Sequence, residues 1–212
     1  MEVKPVITDY EALSDRSDEI DLRKENSLAR ETILNLKATI RDKNLVALTA
    51  PQIGVKKRIG CINFNGDIRT FCNPVLTDVK GLQLNREKCP SIPDKTYLRF
   101  RHSEVTFWYQ DPLGKANSIK LNGLAAMAMQ YVVDMLDGLL ISDVGLELDE
   151  NWDKLTEEEK NQVVSMYIES LDLKEKQVKK EVEEDPDTKK ISDAIDFMKS
   201  VQSGETVLST ED

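Results

Sequence analysis

Histidine is almost missing from this chain: His102 is the only one among 212 residues. That scarcity excludes any metal centre or proton relay needing two imidazoles, whatever register the sequence is given. Cysteine is sparse as well. Cys61, Cys72 and Cys89 form an odd set without disulfide-framework spacing, which predicts reduced thiols and a cytoplasmic setting. No apolar run approaches the roughly 20 residues that span a bilayer, so a membrane is not an expected partner. The opening Met1-Glu2-Val3-Lys4 lacks the basic-then-apolar pattern of a secretory leader. No internal repeat is present.

Charge, by contrast, is abundant and unevenly spread. Residues 151–212 carry 17 acidic and 9 basic side chains, while residues 1–150 carry 22 and 20. The body is therefore nearly neutral and the tail has a net charge of −8. An acidic tail repels phosphate backbones, which argues against nucleic acid as its partner.

Hydrophobic periodicity organises the body. Val3 to Thr8 reads as a short opening strand. From Asp18 to Asp42, the stripe Leu22, Ala29, Ile33, Leu36 and Ile40 marks one buried face of a helix. Between Val46 and Leu121 the pattern turns to strands, clearest at Arg58–Phe64, Thr70–Asn73, Val105–Tyr109 and Ser118–Leu121. Turn signals such as Asn65-Gly66-Asp67 and Asp111-Pro112-Leu113-Gly114 divide them. A second helix, Leu124 to Asp137, is apolar on nearly every side and belongs in the middle of a domain. Helix, strands and central helix in that order predict an α+β fold.

Past Asp149 the style changes. Thr156 and Glu159 form a capping box that opens a helix carrying Val163, Val164, Tyr167, Ile168 and Leu171. A charged interval from Lys174 to Asp185 leads to Pro186. A last helix over 188–202 carries the stripe Ile191, Ala194, Ile195, Met198 and Val201. The expected domains are 1–148 and an acidic helical extension over 149–212. That extension is predicted to dock in a protein partner's groove through Ile191, Ile195 and Met198, or to fold back on the body.

Three segments carry chemistry. Leu48-Thr49-Ala50-Pro51-Gln52-Ile53-Gly54-Val55 precedes a strand; Glu87-Lys88-Cys89-Pro90-Ser91-Ile92-Pro93 follows; Met129-Gln130-Tyr131-Val132-Val133-Asp134-Met135-Leu136-Asp137-Gly138 lies on the central helix. Their order and spacing, with Asn73-Pro74 after a strand, resemble the motifs of peptide deformylases over residues 3 to 145. The resemblance implies a peptide deformylase-like fold, with antiparallel sheets packed around a central helix and the helical extension added.

It also implies roles. Gln52 stands where the family places the glutamine that holds the developing oxyanion, and Cys89 where it places a metal ligand. Tyr131 and Met135 stand on the two family histidines, Val132 on the glutamate, and Pro90 where the family has a backbone N–H donor. Leu45 and Ala47 replace two family glycines, Thr49 an alanine and Lys88 another glycine. A phenol, a thioether and an isopropyl group cannot hold a metal-activated water or shuttle its proton.

The expectation from these losses is a catalytically inactive deformylase-like protein, not an enzyme, with no metal or other cofactor. Its role is then structural or assembly, specifically in a bacteriophage virion or tail, since deformylases also occur in phages. Two alternatives stay open: a deformylase-like metalloenzyme with altered ligands, using Cys89 with Glu87 or Asp134, and a ribosome-associated regulator. Gln52, Cys89, Tyr131 and Met135 are the remnant of the family site. Tyr131 and Met135 share a helix face and are expected to fill the former metal pocket, with the Tyr131 hydroxyl on Gln52 and little room left for a ligand. Glu87, Asp134 and Arg101 are expected to form a buried charge network.

Overall fold

The computed structural model describes residues 1–184, with side chains to residue 171. The chain divides into two compact units, Met1–Leu148 and Asp149–Asp212.

The first unit has two antiparallel sheets. Its elements in chain order are α1 (Tyr10–Leu13), α2 (Asn26–Lys43), β1 (Ala47–Thr49), a 3-10 turn (Pro51–Ile53), and β2 (Ile59–Phe64). Then come β3 (Asp67–Lys80), β4 (Gln83–Cys89), β5 (Ile92–Arg101), β6 (Glu104–Gln110), β7 (Ala116–Asn122), α3 (Gly123–Leu136), α4 (Ile141–Val144) and β8 (Leu146–Glu147). One sheet has the order β1-β2-β3-β6-β7 and the other β4-β5-β8. The architecture is α+β.

Two clusters form the core. Ala29, Ile33, Leu36 and Ile40 of α2 pack with Leu48, Ile59, Cys61 and Cys72. The second cluster gathers Phe71, Tyr97, Phe107 and the buried face of α3: Met129, Tyr131, Val132, Met135 and Leu136. Helix α3 lies hard against β2. A Cβ at Gly60 would collide with the Val132 Cγ1, so only glycine lets the helix come this close.

Three local expectations change. The stretch Val3–Thr8 joins no sheet, because side chains and a loop take its N–H groups. Glu2 N donates to Asn35 Oδ1 (2.8 Å), Lys4 N to Thr39 Oγ1 (2.9 Å) and Ile7 N to the Gln52 carbonyl (2.9 Å). Helix α2 begins at Asn26 rather than Asp18. There the Asp21 carboxylate accepts from the N–H groups of Arg23 and Lys24 at 3.0 and 3.1 Å, the local turn that competes with helix at Asp and Asn. The β4–β5 hairpin, unresolved within the strand region by its polar sequence, is well formed and pairs from Gln83↔Arg101 to Cys89↔Ile92.

In the second unit, α5 runs unbroken over Glu157–Glu184. The capping box is present: Thr156 N donates to Glu159 Oε2 (2.8 Å), and Glu159 N donates to Thr156 Oγ1 (3.3 Å). The charged interval from Lys174 continues the helix, as lysine and glutamate are good helix formers. Ile191, Ile195 and Met198 lie outside the described residues.

Candidate functional site

Gln52 is delivered by the 3-10 turn after β1, whose start at Pro51 suits proline's fixed φ and missing N–H. It is wholly buried. Its Oε1 accepts from Thr49 N (3.0 Å) and Thr49 Oγ1 (3.1 Å), and its Nε2 donates to Ser91 Oγ (3.0 Å) and Tyr131 OH (2.9 Å). All four hydrogen-bonding capacities of the carboxamide are used, which locks its orientation. Thr49, where the sequence comparison had only marked a lost alanine, thus supplies both groups that hold the carboxamide oxygen. Ser91 is a further member missed in the sequence. A hydroxyl three residues before Gln52 was the available signal for Thr49.

Tyr131 projects from α3 into this network. Its hydroxyl also lies 3.4 Å from Cys89 Sγ, at the end of β4. Burial pushes the phenol well above its ordinary value, with neighbouring Cys89 adding to the rise and the Gln52 hydrogen bond opposing it. Tyr131 is therefore a neutral O–H held between an amide and a thiol. Met135, one turn on and 1% exposed, packs into the same core. The structure thus brings Gln52, Cys89 and Tyr131 together, with Met135 buried in the same core cluster as Cys89 and Tyr131.

The position beside Cys89 is filled, but the expectation of little room is corrected. A cavity of about 730 Å³ opens in front of Cys89 and Tyr131, walled by Val6, Val46, Lys88 and Leu124. Gln52 stays behind Tyr131 and does not line it. The two aromatic and thiol groups fill the floor while the walls stand apart.

Next to this floor is a buried charge network. Arg101 Nε and Nη2 donate to the two oxygens of Glu87 at 2.9 and 3.0 Å, and its Nη1 reaches Asp134 Oδ2 at 2.5 Å. Arg99 adds a longer contact of 3.5 Å to Asp134. Despite its burial, Arg101 is held more firmly protonated than usual by Asp134 and Glu87.

Residues 3–150 match the family model described as polypeptide deformylase. The chain belongs to the peptide deformylase family. A peptide deformylase of Dictyoglomus thermophilum is 33% identical over 124 residues, spanning 58% of this chain and 78% of that protein. One from Thermodesulfovibrio yellowstonii is 34% identical over 123 residues, 56% of this chain and 74% of the relative. Among solved structures, a class I type b peptide deformylase from Acinetobacter baumannii with Met-Ala-Ser bound superposes with a TM-score of 0.63. It shares 22% identity and covers 67% of this chain and 98% of its own, a likeness of fold.

These relatives correct the functional expectation. Proteins a third identical to this one are named as an enzyme, and they are cellular bacterial proteins. The reading of an inactive structural protein, and of a bacteriophage virion or tail component, is overturned by them. The deformylase-like alternative fits the relatives better.

The family's metal does not fit the residues seen here. Among the described residues, no three His, Cys, Asp or Glu side chains converge. Glu87 and Asp134, the substitute ligands considered with Cys89, are both engaged by Arg101. His102 turns its Nδ1 to the Gly81 carbonyl at 3.0 Å. Cys89 lines the cleft, with its sulfur 3.4 Å from the Tyr131 hydroxyl. No helix among the described residues is long and apolar enough to cross a membrane.

Proposed function

We propose that the chain engages the acylated N-terminal end of a peptide, its family's class of ligand, through a centre of altered composition. The observation that carries this reading is the cleft that Tyr131 and Cys89 both line, with the Tyr131 hydroxyl and the Cys89 sulfur in contact with each other. A neutral O–H in a desolvated site is a strong donor to a carbonyl. When a formyl or other acyl oxygen enters, it replaces the Cys89 sulfur, a weak acceptor, as the partner of the Tyr131 proton. The Gln52 amide continues to donate to the phenol from behind, polarising it toward the ligand. Apolar walls at Val6, Val46 and Leu124 suit a leading apolar side chain such as methionine. The Acinetobacter structure of the same fold has Met-Ala-Ser bound, which supplies the length of the test peptide.

The test is calorimetric titration of formyl-Met-Ala-Ser against the same peptide with a free amino group. The formylated form is expected to bind more tightly. Tyr131→Phe should abolish that preference, at a cost of about 1 kcal/mol for one neutral hydrogen bond. Formate release, followed in the same samples with and without added zinc or ferrous ion, reads turnover and its dependence on Cys89. Equal binding of the two peptides, or no binding of either, overturns the reading.

A further inference from the structure

The mouth of the cleft has a charge balance opposite to that of the whole chain. The protein carries a net charge of −10, yet its cleft is lined by Lys43, Arg86, Lys88 and Lys95 against Glu87 and Asp94. Glu87 is neutralised from behind by Arg101, which is outside the lining. Lys95 is paired with Glu147 at 2.9 Å, and Arg86 has a partner of its own. Lys43 and Lys88 remain, exposed and without an ion pair among the described residues, opposed by Asp94 alone.

Their placement matters as much as their sign. Lys88 directly precedes Cys89 on β4, where alternation buries Glu87 and Cys89 and leaves Lys88 outward. Lys43 closes α2 and lines the cleft together with Asn44 and Val46. A peptide whose first group lies over Tyr131 and Cys89 advances roughly 3.4 Å per residue, and its following side chains run along a cleft that both lysines line.

We propose that the cleft selects peptides with acidic side chains at the second and third positions. This rests on the reading of the cleft as a peptide-end site. Lys88 and Lys43 meet the two carboxylates, and the surplus positive charge draws acidic chain ends past the acidic remainder of the protein. Asp94 tempers the preference. Chemically the ligand is an N-acylated peptide whose start is methionine followed by Asp or Glu.

Calorimetry of the full chain with formyl-Met-Glu-Asp-Ser and its uncharged isostere formyl-Met-Gln-Asn-Ser tests the proposal. In low salt the acidic peptide is expected to bind about fivefold more tightly. The ratio should fall toward one at 1 M salt, persist in Lys88→Arg, invert in Lys43→Glu/Lys88→Glu, and grow in Asp94→Asn. Equal affinities in the unaltered chain overturn the acidic preference while leaving the peptide-end reading intact. A preference that survives the double charge reversal overturns the assignment to these lysines. Binding of neither peptide removes both readings together.

Discussion

Replacing Arg101 by methionine strands the buried carboxylate of Glu87. In the folded chain both Glu87 oxygens accept from Arg101, and the Glu87 and Arg101 side chains are 4% and 3% exposed. Asp134, at 22%, keeps some water and its longer contact to Arg99. The damage is therefore concentrated at Glu87. Removing one partner of a buried pair costs about 3–5 kcal/mol, because the remaining charge is neither solvated nor paired. For a protein of this size the melting temperature should fall on the order of 10 °C. Replacing both, Arg101→Met with Glu87→Met, removes the stranded charge and should restore most of that loss. The single variant should also become pH-sensitive. An unpartnered buried carboxyl is raised above its unfolded value of about 4.3. A raised acid contributes stability below the unfolded value and loses it as pH rises through the folded one. Arg101→Met should accordingly be less impaired at pH 4.5 than at pH 7, relative to the unaltered chain. Chemical denaturation of the three proteins at both pH values is the assay. A single variant as stable as the parent, or a double variant no better than the single, would refute the reasoning.

The geometry around Cys89 predicts that Tyr131→His with Met135→His creates a metal site, since imidazoles four apart on α3 would join the thiol on one face. One zinc per chain by elemental analysis, lost on further changing Cys89 to Ala, is the expected result; an unmetallated double variant that remains folded counts against the placement of Met135. The thiols of Cys61 and Cys72 are pushed up by burial to about 11 and about 12. Both hold their protons longer in the folded than in the unfolded chain, so the stability they contribute is complete below about pH 9. It declines as pH rises toward those values, which a series of thermal melts from pH 8 to 11 will show. At pH 8 neither should react with a disulfide reagent until denaturant is added, and rapid native-state labelling of either would contradict their burial.

The parts of the fold that could be read from the sequence are those where one periodicity dominates. Ala29, Ile33, Leu36 and Ile40 leave no choice but a helix face, and the all-round apolar α3 could only be central. The β4–β5 hairpin was hidden because Gln83 to Cys89 is mostly polar. Its two buried members, Glu87 and Cys89, alternate with exposed charged residues, so no apolar periodicity marks the strand, although the buried pairing of Glu87 with Arg101 was expected. The start of α2 was misplaced because Asp21 offers the backbone hydrogen bonds that compete with a helix. At the site, the resemblance to the deformylase motifs implied that Gln52, Cys89 and Tyr131 share one neighbourhood, and the helical spacing of Tyr131 and Met135 only put those two on one face. The open cleft beside them was not legible, since it depends on how far apart the Val6, Val46 and Leu124 walls stand. Loss of the family's ligands also misled the functional reading, because residue identity at a few positions says nothing of the company that the whole chain keeps.

The contact between Gly60 and Val132 makes two distant positions a single variable. Any side chain at 60 needs the room that the valine occupies, so alanine there becomes acceptable only once position 132 has first been shortened. Substitutions on β2 and α3 must then arrive in a set order, and a library that randomises position 60 alone will find it intolerant. Randomised together, they should yield pairs that neither position permits alone.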